Sequence, residues 1–367
     1  MNVPFVDLKA QYLAIKSEID TAISDVILSG AFIGGPYVTQ FEKDFASFIR
    51  LNHVIGCANG TDSLEIIMKA MGIGPGDEVI VPALSWFSTS EAVGSLGATP
   101  VFVDIESDYY TMNPDLLEAA LTEKTKAIIP VHLYGQAANM PAIMAFANKH
   151  HLKVIEDCAQ SHGAEINNQL CGTFGHAASF SFYPGKNLGS YGDAGAIATN
   201  DEELAKRCRM IANHGQLKKH DHQIEGRNSR LDGLQAAILS VKLKHIEQWT
   251  VLRNEHSKRY SELLSNSAVQ FPKVRENSRH VFHLYVIQCK SREHMMKQLA
   301  EKGIQTAIHY PSPLPLLKAY AHRNFTEEQF PVAASACKAI LSIPMFPELD
   351  ASTITYVVTS IKNAANA

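Results

Sequence analysis

Six cysteines in 367 residues (Cys57, Cys158, Cys171, Cys208, Cys289 and Cys337) include no CxxC pair. That spacing argues against a zinc ribbon, a thioredoxin-type motif and a disulfide framework, and leaves small buried residues in a reducing cytoplasm as the expectation. A basic excess is missing as well: Lys and Arg total 33 against 37 Asp and Glu, a net charge of −4. Without surplus cations to neutralise a phosphate backbone, nucleic acid is not an expected partner. No apolar run is long enough to span a bilayer, and the opening MNVPFVDLKAQY has neither a basic n-region nor an apolar core. Neither a membrane anchor nor a signal peptide is therefore expected.

Nucleotide and metal signatures are equally scarce. Gly185-Lys186 is followed by Asn187, with no glycine five positions upstream, which excludes a Walker loop. GIGPGDE, from Gly72, neither follows a strand nor completes GxGxxG, and HExxH and GxSxG are absent. The tightest group among sixteen histidines is His220-Asp221-His222 in KKHDHQIEGRN. That polar stretch reads as a solvated loop, and no metal is expected.

What is present is an ordinary globular composition, 46% hydrophobic and 19% charged, of a length that suits one large or two ordinary domains. Candidate strands start at His53 (HVIGCA), Glu78 (EVIVPA), Pro100 (PVFVDI), Lys126 (KAIIPVHLY), Lys153 (KVIEDC), Ala178 (ASFSFY) and Gly195 (GAIATN). Several are continuous apolar runs, as in strands covered on both faces. Helix-like segments lie between them, such as SLEIIMKAM with Leu64, Ile67, Met68 and Met71 on one face. The alternation predicts an α/β fold with a wound, mostly parallel seven-stranded sheet. One long helical stretch from Leu231 to Leu264 is expected to bridge two units. Beyond it comes a smaller α/β unit with strands RHVFHLYVIQC and QTAIHY, helix REHMMKQLAEKG, and helices near 331–340 and 351–364. The division expected is 1–245 and 246–367.

Open α/β sheets bind ligands at the carboxyl ends of their strands, and four polar stretches fall there. In ANGTDSLEII, Gly60 permits a tight turn, and the hydroxyls of Thr61 and Ser63 with nearby amides could hold a phosphate; a plain capped helix is the simpler alternative. Asp62 would repel a dianion unless its carboxylate points away. In VIEDCAQSHG, Glu156 and Asp157 close an apolar strand, so a carboxylate there needs a partner, and a cationic ring nitrogen would be one. Gln160 and His162 follow one turn on; a helix-capping Asp is the alternative. In SFSFYPGKNLGSYGDAGAI, a buried strand runs into the lone Lys186 among glycines. Partial desolvation would make that amine a Schiff-base nucleophile, against the alternative of a surface lysine. Ser181, two residues before Tyr183, offers another phosphate hydroxyl. In PALSWFSTSEA, Trp86 could stack on a flat heterocycle or simply pack in the core. Phosphate cradle, stacking aromatic, carboxylate and imine-forming lysine together make the inventory of a pyridoxal 5'-phosphate site.

End to end, the sequence resembles the DegT/DnrJ/EryC1/StrS sugar-nucleotide aminotransferases, of fold-type I pyridoxal phosphate-dependent architecture. The likeness rests on FVDLKAQY, ANGTDSLE, GIGPGDEVIVPALSW, EDCAQSHGA, SFYPGKNLGSYGDAGA, IANHGQ, GRNSRLDGLQAAIL, IHYPSPL and SIPMFPELD. The resemblance implies that Lys186 carries the cofactor and later moves the substrate proton, and that Asp157 keeps the ring nitrogen protonated. It implies Gln160 at the ring hydroxyl, Trp86 on the ring face, and Thr61 and Ser181 with amides near Gly60 and Asp62 at the phosphate. Asn228 resembles the residue that reaches the phosphate from a neighbouring subunit, implying a homodimer with shared sites. Tyr183, His309 and Tyr310 correspond to substrate-pocket positions. Family members with histidine at the lysine position deoxygenate instead, and Lys186 sets this chain apart from them.

The implied reaction moves an amino group from glutamate to a nucleotide-linked keto sugar. FYPGKNLGSYGDAGA is most similar to members acting on TDP- or UDP-linked 3-keto hexoses, with 4-keto sugars as the competing class. A non-catalytic regulatory protein on the same scaffold is the reading from a different class. An NAD-type oxidoreductase is disfavoured by the missing GxGxxG.

Overall fold

The computed structural model describes residues 1–366. In chain order its strands are β1 (His53–Cys57), β2 (Glu78–Pro82), β3 (Thr99–Val103), β4 (Thr125–Ile128), β5 (Lys153–Asp157), β6 (Glu165–Ile166), β7 (Gln169–Leu170), β8 (Ala177–Ser181), β9 (Gly195–Thr199), β10 (Ser278–Arg279), β11 (Tyr285–Gln288) and β12 (Ile340–Ile343). The first helices are α1 (Leu8–Ala14), α2 (Lys16–Ser29), α3 (Gly35–Ile49), α4 (Gly60–Ala70), α5 (Ser88–Ser95), α6 (Leu117–Ala120) and α7 (Met140–Lys149). They are followed by α8 (Glu202–Ala212), α9 (Gly233–Leu243), α10 (Ile246–Leu264), α11 (Arg292–Glu301), α12 (Pro331–Ala339) and α13 (Ala351–Asn366).

Seven strands form the central sheet in the order β1-β9-β8-β5-β4-β2-β3. Only β9 runs against its neighbours, pairing antiparallel with both β1 and β8. Successive residues of each strand feed opposite apolar layers, as the period of two requires. Ile55, Val79, Val81, Ile155 and Ile197 pack with α4, α5 and α8 on one face. Val54, Ile80, Ile128, Val154 and Ala196 pack with α3, α7 and α9 on the other. Burial on both faces is why these strands read as unbroken apolar runs. The crossover connections bring the ends of the parallel strands to one edge, where the polar stretches lie.

A second apolar cluster joins α10, α11, α13, β11 and β12. Val3 belongs to it: its N–H donates to the Gly303 carbonyl at 2.8 Å, and the Val3 carbonyl accepts the Gln305 N–H at 3.0 Å. Four local expectations change. The stretch 231–264 is two helices, α9 and α10, interrupted at Lys244–His245. QTAIHY is not a strand but makes one isolated bridge, Ala307 to Ser342; its intended partner position is taken by β12, which pairs antiparallel with β11. KAIIPVHLY stops as a strand at Ile128, since Pro130 has no N–H for the ladder. RHVFHLYVIQC pairs as strand only at Arg279, in β10 against β6, and over β11, because between them Val281 and Leu284 N–H turn aside to the carbonyls of Gly135 and Tyr134. Among the described residues no helix is long and apolar enough to cross a membrane.

Candidate active site

Strand β5 ends in two buried carboxylates facing opposite ways, and their partners divide the labour. Glu156 accepts from Gly172, Phe174 and Gly175 N–H, each at 2.7 Å, and pairs with His132 Nε2 at 3.0 Å. His132 Nδ1 accepts the Ala138 N–H, so this ring is a neutral donor and the group is a fastening of three loops. The same bonds already engage the donor atoms of His132 and Glu156, which lie close to the Cys158 thiol. Asp157 points the other way. It accepts from Thr89 Oγ1 at 2.9 Å and Ala159 N–H at 3.1 Å, and Thr89 is in turn bonded to Ser85 at 2.8 Å. Burial pushes the Asp157 carboxyl up, against those two donors and the Lys186 ammonium. A buried acid with so few donors fits a cationic ring nitrogen.

Lys186 follows β8 through a Pro-Gly turn closed by its own N–H on the Tyr183 carbonyl at 2.8 Å. Its side chain is half-buried, with no hydrogen-bond partner among the described residues. Desolvation pushes its pKa down to about 8, with the Asp157 carboxylate pulling the other way, so the two groups feel each other's charge. A free amine near neutrality, within the field of that acid, can condense with an aldehyde.

Helix α4 starts at the end of β1. Asn59 caps it, accepting the Asp62 N–H at 2.8 Å, and leaves the Gly60 and Thr61 N–H groups without a partner among the described residues. These two amides at a helix N-terminus fit a phosphate dianion. Ser181 lies against this turn, since a Cβ on Gly60 would come within 2.8 Å of the Ser181 Cβ. The Asp62 amide is occupied by the cap, and its carboxylate is neutralised by Arg227 at 2.8 Å, so it is turned from the anion. Thr61 donates its hydroxyl to Ser88 at 2.7 Å.

Gln160 is locked on both sides, Oε1 accepting Tyr134 N–H at 2.6 Å and Nε2 donating to the Tyr310 hydroxyl at 3.1 Å. Trp86 lies 5.6 Å from the Tyr310 ring, and both Trp86 and Tyr183 are 59% exposed. Large aromatics left this open fit a flat ligand better than core packing. His309 hydrogen-bonds Ser342 at 2.9 Å, and burial with the Lys186 charge pushes it down to about 4. His162 is sealed among Phe45, Phe180 and Phe182 with neither nitrogen bonded, and burial pushes it to about 3. Asn228 is exposed, next to Ser229, whose hydroxyl accepts from Ala58 N–H at the end of β1.

Geometry and sequence converge on one comparison: the model of the DegT/DnrJ/EryC1/StrS aminotransferase family matches residues 13–362. The chain belongs to this family. DegT/DnrJ/EryC1/StrS aminotransferases depend on pyridoxal phosphate, and the donors described above fit that group. One relative, a "pleiotropic regulatory protein" of Geobacillus stearothermophilus, is 48% identical over 364 residues, 98% of each chain. Another, the UDP-N-acetyl-3-dehydro-α-D-glucosamine 3-aminotransferase of Acidithiobacillus ferrooxidans, is 44% identical over 98% of this chain and 97% of its own. The crystal structure of S. venezuelae DesV in complex with a ketimine intermediate superposes with a TM-score of 0.97 at 40% identity, covering 100% of this chain and 99% of that one. The fold is thus that of a family aminotransferase.

Sequence reasoning missed the Thr89 bond to Asp157, the Arg227 grip on Asp62, and the pairing of Asn187 with His283 described below. The cluster of hydroxyls in SWFSTS signalled the first. The other two join residues far apart in the chain and left no local signal.

Proposed function

We propose that this chain moves the amino group of glutamate to carbon 3 of a TDP- or UDP-linked keto hexose, in the cytoplasm, as a homodimer. The observation that carries the reading is the depressed Lys186 amine within the field of the buried Asp157. Bound, pyridoxal phosphate supplies an aldehyde that exchanges amines and a ring that accepts the electron pair of a deprotonated carbon. Lys186 would hold that group covalently and would move the proton at the substrate carbon. Asp157, steered by Thr89, holds a proton on the ring nitrogen. Gln160 would offer its second amide hydrogen to the ring hydroxyl, Trp86 would cover the ring and exclude water, and Gly60, Thr61 and Ser181 would hold the phosphate. Tyr183, His309 and Tyr310 line the opening for the sugar.

The relative from Acidithiobacillus ferrooxidans, named for a 3-dehydro sugar, supports position 3. The regulatory name of the Geobacillus relative supports the alternative, but a chain that kept lysine, acid and phosphate amides in register favours catalysis. Asn228 is exposed, with no side-chain bond of its own among the described residues; Leu28, Phe32 and Ile33 are exposed too, and the Ile33–Asp232 bridge ties them to the segment that follows Asn228. A second copy seated there would bury that patch and bring Asn228 to the partner's phosphate. We also divide the chain at residue 245, with Val3 packed on the second unit.

A panel of TDP- and UDP-linked 3-keto and 4-keto sugars, supplied with glutamate, tests the assignment through release of 2-oxoglutarate. Turnover of a 3-keto sugar is expected. Turnover confined to 4-keto sugars moves the position, and none at all with cofactor bound sinks the reading.

A further inference from the structure

Two side-chain amides near Lys186 are anchored so that their polarity cannot reverse, and each dictates the polarity of a neighbouring ring. Gln160 accepts through Oε1 from a backbone N–H, so its Nε2 donates to Tyr310 and leaves the Tyr310 O–H free to donate outward. Asn187, buried, donates through Nδ2 to the Val281 carbonyl at 2.9 Å. Its Oδ1 is then an acceptor for His283 Nδ1, 3.2 Å away. That bond requires the hydrogen on Nδ1, so the neutral His283 ring carries its lone pair on Nε2.

Nothing else in the described residues occupies that nitrogen. Nε2 has no protein partner, yet it is not sealed in, because His283 is half-buried and keeps contact with solvent. Its backbone is bracketed by the bonds of Val281 N–H to Gly135 O (3.1 Å) and Leu284 N–H to Tyr134 O (3.2 Å), the loop that also holds Gln160. The titratable neighbours that act on it are Lys186, Arg253, His309 and His162, all basic. Burial above all, and these charges after it, push the ring well below its ordinary value and keep it neutral.

We propose that His283 is a specificity-determining residue for the sugar, its Nε2 accepting a hydrogen bond from a hydroxyl of the keto sugar, with Asn187 as the positioning residue that holds the tautomer. The assignment rests on the functional reading above and deepens it. Sugar hydroxyls donate, whereas the two carboxylates of glutamate only accept and would meet a lone pair. Tyr310 thus keeps one free donor, and His283, which feels the charge of Lys186 and His309, keeps one free acceptor; such a pair suits a carbonyl flanked by a hydroxyl.

The two half-reactions separate the roles. In His283→Phe the rate constant for the keto sugar that the wild type turns over best falls ~10- to 100-fold, the loss of a matched buried hydrogen bond, while the glutamate half-reaction stays within ~2-fold. His283→Gln, which can place an amide oxygen near the same point, recovers much of the loss. A substrate analogue lacking the contacted hydroxyl reacts equally with wild type and His283→Phe. Nitrogen-15 NMR of the histidine rings shows the hydrogen on Nδ1 of His283, and Asn187→Leu abolishes that preference. Equal losses in both half-reactions, no loss in either, or a hydrogen on Nε2 overturns the proposal. A wild-type chain that accepts the amino group of glutamate but aminates no keto sugar overturns the functional reading and this assignment with it. The NMR result stands apart from that failure.

Discussion

Lys186 sits where two opposing effects meet, loss of water and a nearby acid, and desolvation wins. With its pKa at about 8 rather than 10.5, the free amine is the major form above pH 8. The rate of covalent cofactor attachment to the apoprotein is therefore expected to rise with pH around a midpoint of about 8, followed by absorbance or borohydride trapping. A midpoint near that of an ordinary lysine would remove the desolvation argument. The linkage sign agrees: a depressed lysine penalises the fold below about pH 8, so this term adds stability to the apoprotein as pH rises from 8 toward 10.5. Lys186→Ala should still retain cofactor non-covalently but lose ~10²- to 10⁴-fold or more in turnover, the scale of a missing proton carrier. Mass spectrometry after borohydride should then find no pyridoxyl label on the chain. Retained turnover would contradict the role given to this amine.

The junction of β1, α4 and β9 depends on glycine for close approach rather than for unusual dihedrals. A Cβ on Gly195 would lie 2.4 Å from the Asn59 carbonyl carbon and 2.9 Å from the Gly60 nitrogen, so β9 can pass the cap of α4 only without a side chain there. Gly195→Ala is expected to displace the cap, cost ~1–3 kcal/mol of stability as overpacking does, and weaken cofactor retention. Thermal unfolding and equilibrium dialysis measure the two effects. A destabilised variant with unchanged cofactor affinity would separate the α4 amides from phosphate binding. Elements of this kind were legible in sequence where the pattern was local: ANGTDSLE reads as strand end, turn and capped helix, and all three are present. QTAIHY and the run Ile340–Ile343 were not separable, because a short apolar segment becomes a strand only if its partner edge is free, and β11 pairs with the second.

On the scale of the whole molecule, the exposed Asn228 and the apolar Leu28, Phe32 and Ile33 make sense as surfaces for a second copy. Asn228→Ala should loosen cofactor retention while Lys186→Ala alone abolishes turnover. Verified mixed dimers of the two variants should regain activity, since one of their two sites would combine an intact lysine with a partner's intact asparagine. Absence of recovery in such dimers would confine each site to one chain. By itself the sequence determined which groups are available: a lysine at the end of a buried strand, an acid closing another, and small residues where backbones must touch. Those are local facts of residue type and spacing. Tertiary structure decided what each group is bonded to. Thr89 reaches Asp157, Arg227 neutralises Asp62 and Asn187 orients His283 across gaps of 68, 165 and 96 residues. Hydrogen-bond polarity and desolvation depend on neighbours in space, and the packing of the two layers on one sheet selects those neighbours.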